Sequence, residues 1–248
     1  MPNFSPIVLF CDFGLPYTGQ MKARLLDGAP ECAVIDLFHD VPAHDIQAGS
    51  ALLAAHVRDF PKGTIFVCVV DPGVGTDQRK PGVVFAGGWW FVGPLNGLFE
   101  HVLRQFGSDA EVFEITEIPK DVSVSFHGRD IFAPQAARLA VGNKHGLRPL
   151  AVESIRKSSF VDDVQAVIYS DGFGNLMTGI RAKSLPENET IEISGRKLPK
   201  YRTFSDAQPG EFFVYENAVG LLEISANQAN ARKILKISGF PPLKIVQV

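Results

Sequence analysis

Two apolar patterns alternate through the first 160 residues. Ile7–Phe10, Cys32–Leu37 and Ile65–Val70 are apolar runs, each closing at or near acidic residues. Such runs fit strands buried on both faces. Between them, Thr18–Leu26 and Asp45–Asp59 read as helices; in the second, Ile46, Leu52, Leu53, Ala54 and Val57 form one apolar face. Val83–Phe85 and Trp90–Val92 flank Gly87-Gly88 as the arms of a hairpin, and Gly97–Phe106 and Ile131–Val141 read as helices. Strands alternating with helices predict a mostly parallel sheet covered on both faces. After residue 162 the pattern shortens. Ala166–Tyr169, Thr190–Ile193, Phe212–Tyr215, Leu221–Ser225, Lys233–Ile237 and Leu243–Val248 are brief strand candidates separated by turn residues, the mark of a small β-sandwich or barrel. The fold class is therefore α/β. An N-terminal, mostly parallel-sheet α/β domain spans 1–160, and a small C-terminal all-β barrel domain spans 161–248.

Composition narrows the partners. The chain has 248 residues, 46% hydrophobic and 21% charged, with net charge −3. That balance gives no general attraction to nucleic acid or to an anionic membrane. No apolar run is long enough for a membrane span, and the start, MPNFSPIVLFCDFG, lacks the basic region of a signal peptide. Cys11, Cys32 and Cys68 are odd in number, unpaired in spacing and set in apolar runs, so buried thiols and a cytoplasmic location are expected.

In open α/β sheets, ligands bind beyond the carboxyl ends of the strands. Asp12, Asp36 and Asp71 are expected there. Asp12-Phe13-Gly14 ends the first strand, and a carboxylate at that place suits a ribose diol or a turn cap. Asp71-Pro72-Gly73-Val74-Gly75-Thr76 is glycine-rich but matches no phosphate-binding pattern, so its glycines suit close backbone approach or an ordinary turn. Ser125-Phe126-His127-Gly128-Arg129-Asp130 puts His127 before a helix N-terminus, which favours a neutral imidazole able to accept a proton or orient a water. Asp130 is a plausible cap of that helix. The pairs His39-Asp40 and His44-Asp45 flank Val41-Pro42, so they cannot share one helical face as metal ligands, and no metal is expected. Asp171-Gly172-Phe173-Gly174-Asn175 reads as a hairpin turn or a ligand loop, in which the Asn175 amide could read an adenine edge.

Together these stretches resemble one family, the S-adenosyl-L-methionine hydroxide adenosyltransferases, relatives of the fluorinase and chlorinase. The matching segments are CDFG (11–14), VIDLFHDVPAHDIQAG (34–49), FPKGTIFVCVVDPGVGT (60–76), GPLNGL (93–98), SFHGRDIFAP (125–134), DGFGNLMT (171–178), TFSD (203–206) and ENAVGLLEI (216–224). They occur in family order over nearly the whole chain. The resemblance implies hydrolysis of S-adenosylmethionine to adenosine and methionine by water attack at ribose C5′, with S-adenosylmethionine as substrate and no cofactor. It also implies a homotrimer with active sites between subunits. Asp71 and His127 match the water-activating carboxylate and imidazole. The family arginine falls at Gln78, so Arg79 is expected to take its role. Asp12 matches the ribose ligand, Asp171 the methionine-amine ligand and Asn175 the adenine reader. Phe126, Gly128, Phe204 and Asn227 match further substrate contacts, Phe204 by stacking on adenine. The sequence departs in the short loop GLPYTG after Asp12, in Leu95 for an aspartate, and in Ala218 for a serine.

Two alternatives remain. A halogenase would carry tyrosine where this chain has Asp71; a carboxylate repels a halide by about 4 kcal/mol at 4 Å and an effective dielectric of 20, although Gly128 is expected to leave room for one. A non-catalytic binder of adenosine or S-adenosylmethionine is the other.

Overall fold

The computed structural model describes residues 5–77 and 79–248. Seven strands build the first sheet: β1 (Ile7–Cys11), β2 (Val34–Phe38), β3 (Ile65–Val69), β4 (Pro81–Ala86), β5 (Trp89–Pro94), β6 (Glu111–Ile115) and β7 (Leu147–Leu150). Four helices accompany them: α1 (Tyr17–Gly28), α2 (Ile46–His56), α3 (Glu100–Phe106) and α4 (Ala133–Ala140). The spatial order is β2-β1-β3-β5-β4-β6-β7. The pairs β2–β1, β1–β3 and β3–β5 are parallel, whereas β5–β4, β4–β6 and β6–β7 are antiparallel. The sheet is thus mixed rather than mostly parallel. Sequence reading missed β6 and β7 because EVFEI and LRPL carry charges and a proline.

The unbroken apolar runs follow from double coverage. One face of β1 and β3, with Ile7, Leu9, Val67 and Val69, packs on Met21 and Leu25 of α1 and on Ala133, Ala136 and Ala137 of α4. An added Cβ on Gly28 would lie 2.8 Å from the Ala137 Cβ, so glycine lets these two helices touch. On the other face α2 packs with α3, and Phe66 stacks on Phe91, which meets Phe99. Each such fully buried phenylalanine contributes about 2–3 kcal/mol of transfer free energy. β2 is an edge strand. Asp36 sits in its middle, not beyond its end, and pairs with Lys22 of α1 at 2.5 Å. It is therefore not a rim carboxylate.

From β1 the chain crosses to β2 on one side, then returns to β3 on the other. The point between β1 and β3 is where connections leave in opposite directions, the crevice that open α/β sheets use for ligands. Asp12 and Asp71 follow these two strands.

The chain divides into two compact units, residues 1–160 and 161–248. The second unit holds β8 (Val164–Ser170), β9 (Leu176–Arg181), β10 (Glu189–Ile193), β11 (Arg196–Lys197), β12 (Phe212–Glu216), β13 (Leu221–Ala226), a short helix α5 (Ala231–Ile234) and β14 (Lys244–Gln247). Its strands form two antiparallel sheets, β11-β10-β14 and β12-β13-β9-β8, over a shared core that includes Val167, Leu176, Ile191, Val214, Leu222 and Ile224. Among the described residues no ladder joins the sheets into the closed ring of a barrel. The strand expected at Lys233–Ile237 is largely α5 and its exit, because the Asn230 side chain caps the Lys233 N–H at 2.8 Å and starts a helix. Among the described residues no helix is long and apolar enough to cross a membrane.

Candidate functional site

Beyond β1 and β3 lies a cavity of about 300 Å³, lined by Asp12, His44, Asp71, Phe126, His127 and Gly128 among others. Its charged group is built from two loops. Asp71 and Arg79 form a bidentate pair. Arg79 Nε donates to Asp71 Oδ1 at 3.0 Å, and Nη2 donates to Oδ2. Both side chains are only 3% exposed. The same Nη2 reaches His127 Nδ1 at 2.8 Å. Arg79 thus joins Asp71 to His127, and its guanidinium also lies 5.6 Å from the centroid of the Phe132 ring. Gln78 lies outside the described residues.

Gly75 explains how the loops meet. Its φ is +77°, and an added Cβ would stand 2.3 Å from the Val124 carbonyl oxygen. Only glycine permits both this backbone and this approach. The 71–76 loop can therefore press against the segment leading to His127.

His127 precedes a π-helical turn, Gly128–Phe132, which runs into α4. Burial lowers the imidazole pKa, and the Arg79 charge lowers it further. Both effects favour the neutral ring expected of a histidine placed, as here, before a helix N-terminus. Arginine has only donors. His127 Nδ1 must therefore accept from Arg79, and the ring proton sits on Nε2. That tautomer offers a water a hydrogen-bond donor. Asp130 is not a helix cap. It accepts the Ser123 N–H at 2.9 Å and pairs with Arg129, stapling the loop before His127 to the π-turn.

Asp12 accepts the His44 backbone N–H at 3.2 Å. Burial raises its pKa, although that hydrogen bond works against the rise. His44 holds φ +65°, an uncommon conformation for a non-glycine residue, and that conformation aims its N–H at Asp12. Phe126 forms edge contacts with Phe13 and Tyr17. Gly128 leaves no open space for a halide at its missing Cβ, which would meet Met21 Sδ at 3.2 Å and the Phe126 ring at 3.3 Å. Leu95 is buried against Gly82.

The second unit carries its own cavity, about 650 Å³, lined by Asp171, Phe173, Asn175, Phe204, Tyr215 and Glu223 among others. Asp171 organises the β8–β9 turn. Its carboxylate accepts the N–H groups of Phe173 and Asn175 at 3.0 and 2.9 Å, and the Asn175 amide at 2.9 Å. Gly174 holds φ +87°, and a Cβ there would overlap Asn230 at 2.2 Å, so the turn lies hard against the start of α5. Phe204 stands edge-on to Tyr215. Asn227 turns away, donating its amide to the Ala207 carbonyl at 2.7 Å. Sequence reading missed His44, Tyr215 and Glu223 as lining residues. For the last two a signal existed. Strand alternation in FFVYE and LLEISA puts both on the face opposite the core.

Among the described residues no group of three His, Cys, Asp or Glu side chains is gathered as a metal cage. Asp45 is spent as the cap of α2, accepting the Ala48 N–H. The three cysteines are buried free thiols, and burial raises the pKa of each. None is a poised nucleophile.

Residues 7–147 match the family model described as the SAM hydroxide adenosyltransferase N-terminal domain, and residues 165–243 match the corresponding C-terminal domain. The chain is 34% identical to the (R)-S-adenosyl-L-methionine hydrolase of Thermus thermophilus, across 97% of this chain and 99% of that relative. It is similar at 34% identity to the protein of the same name from Salinispora arenicola, covering 94% and 95% of the two chains. A solved structure of a conserved hypothetical protein from Thermus thermophilus superposes with TM-score 0.75 at 32% identity, over 98% of this chain and 100% of that one. An uncharacterized conserved protein from Thermotoga maritima gives TM-score 0.81 at 29% identity, over 97% and 100%.

Proposed function

The chain belongs to the S-adenosyl-L-methionine hydroxide adenosyltransferase family, and from that premise we propose that it hydrolyses S-adenosyl-L-methionine to adenosine and L-methionine. The relatives' names specify the (R) epimer. Sulfonium sulfur is a pyramidal stereocentre, so a site that fixes both the nucleoside and the amino-acid arm distinguishes the two epimers.

The observation that carries the reading is that Arg79 joins Asp71 to His127, two residues that line the cavity beside Asp12. Asp12 takes the ribose diol. A water held between Asp71 and the His127 Nε2–H faces C5′. Its oxygen forms the new bond to C5′, the C5′–S bond breaks, and the electron pair leaves on sulfur. The leaving group is a neutral thioether, so it needs no general acid, metal or cofactor. The water proton passes to Asp71 and then to solvent. Water has a pKa near 15.7, so this acceptor and strict positioning supply the rate. Arg79 restrains the carboxylate and holds the imidazole in the donor tautomer. Asp71 also disfavours a halide in this place.

The second cavity takes the rest of the ligand. Asp171 receives the methionine ammonium, Asn175 reads adenine and Phe204 stacks on it. Asn227 acts through the backbone beside it, since its side chain is committed to Ala207. Phe126 and Gly128 wall the reacting end. The two half-sites meet between subunits of a homotrimer in a reducing cytoplasm, with no nucleic-acid or membrane partner.

The test is incubation of the pure protein with each S-adenosylmethionine epimer in ¹⁸O-water. Steady release of adenosine labelled at its 5′ oxygen is expected. Asp71→Asn and His127→Ala should each lower turnover by about 10²–10⁴-fold while retaining nucleoside binding. Mixing Asp71→Asn with Asp171→Asn protomers should recover part of the rate, because a shared interface then holds one intact pair of half-sites. Binding without labelled adenosine would refute the proposal.

A further inference from the structure

Leu222 and Ile224 of β13 face the core, so Glu223 between them points to the other side, opposite its cross-strand partner Tyr215. Glu223 lines the second cavity with Asp171 but is only 7% exposed. Its Oε1 accepts the Tyr215 hydroxyl, and its Oε2 accepts the Asn217 amide at 3.1 Å. Asn217 is itself fixed, since its Oδ1 accepts the N–H groups of Val219 and Leu221. These donors are neutral, so they hold the carboxylate without cancelling its charge. Among the described residues neither Glu223 nor Asp171 has a Lys, Arg or His ion-pair partner. Two uncompensated carboxylates thus share a cavity walled by Phe204 and Tyr215. Its electrostatic complement is a cation.

We propose that Glu223 makes this cavity a receptor for positive charge, so that it separates the sulfonium nucleoside substrate from the neutral nucleoside product. This rests on the hydrolase reading above. S-adenosylmethionine brings a sulfonium and an ammonium. Hydrolysis neutralises the first and detaches the second, and adenosine keeps neither. The interaction with Glu223 therefore lapses as the reaction completes, which favours adenosine release.

The experiment needs no turnover. Wild type, Glu223→Gln and Glu223→Asp are titrated calorimetrically with adenosine, with S-adenosylhomocysteine (ammonium, neutral sulfur) and with 5′-dimethylsulfonio-5′-deoxyadenosine (sulfonium, no ammonium). Glu223→Gln should weaken at least one cation-bearing ligand by about tenfold and adenosine by less than about twofold. The ligand that responds identifies which cation Glu223 meets. Glu223→Asp should keep the charge preference. Equal weakening of all three ligands, the sign of a merely structural role, or no change in any, would overturn the proposal. Charge-selective binding in a wild type that releases no adenosine would sink the hydrolase reading alone. Turnover with charge preference untouched by Glu223→Gln would sink this inference alone.

Discussion

Arg79→Met is the sharpest probe of the buried pair. The substitution keeps an unbranched side chain beside Phe132 but removes the only cation bonded to Asp71 among the described residues. Both partners are 3% exposed, so water cannot replace the lost donors without loosening the loop. Breaking a buried ion pair from one side costs about 3–5 kcal/mol, because a charge is left without a partner. Urea unfolding followed by the fluorescence of Trp89 and Trp90, both in β5, reports on this unit. At pH 7 the midpoint should fall by the equivalent of about 3–5 kcal/mol. Arg79→Met/Asp71→Asn should recover most of that loss, since the orphaned charge is gone. A loss under about 1 kcal/mol, or a double variant no more stable than Arg79→Met, would show that the pair is not buried and coupled as described.

Three further expectations follow from other contacts. Gly75→Ala should cost about 1–2 kcal/mol of backbone strain and, by separating the two loops, lower kcat about 10²-fold with less effect on KM, checked by steady-state kinetics. Burial would raise the Glu100 carboxyl, but donors from Arg156, Arg104 and the Lys157 N–H outweigh it and hold the pKa at about 2. A depressed carboxyl stabilises the fold above about pH 4.5 and loses that contribution as pH falls toward about 2, roughly 3 kcal/mol in all; Glu100→Gln should flatten this part of the acid-unfolding curve. The imidazole of His127 should titrate below 6.5, and ¹⁵N spectra at neutral pH should show its proton on Nε2; a signal from Nδ1–H would contradict the Arg79 contact.

What the sequence disclosed depended on whether each signal was local. Runs such as IVLFC and IFVCV are read correctly because burial on both faces writes itself into consecutive residues. Asp12 and Asp71 were legible because a strand end fixes where the next residue goes. Asp36 was misread because an edge strand tolerates an acid in its middle, paired to Lys22 on a helix far along the chain. β6 and β7 were invisible because their charged positions pair with one another, as Glu114 does with Arg148 at 2.6 Å. Lys233–Ile237 has strand-like residues, yet one asparagine cap decides for helix. The lowered pKa of His127 comes first from burial and then from the Arg79 guanidinium, 48 positions away along the chain. Contacts of that range leave no trace in a single sequence.

The loop between β3 and β4 supplies both the acid and the guanidinium, already mated, while the remaining partner arrives from elsewhere. It is in effect a removable cassette of ten residues or so, anchored at each end by rigid sheet. On the mechanism proposed above, exchanging that insert would change the attacking reagent while the nucleoside berth stays as it is. Retooling the fold for another nucleophile would then begin with one short splice, not with a rebuilt protein.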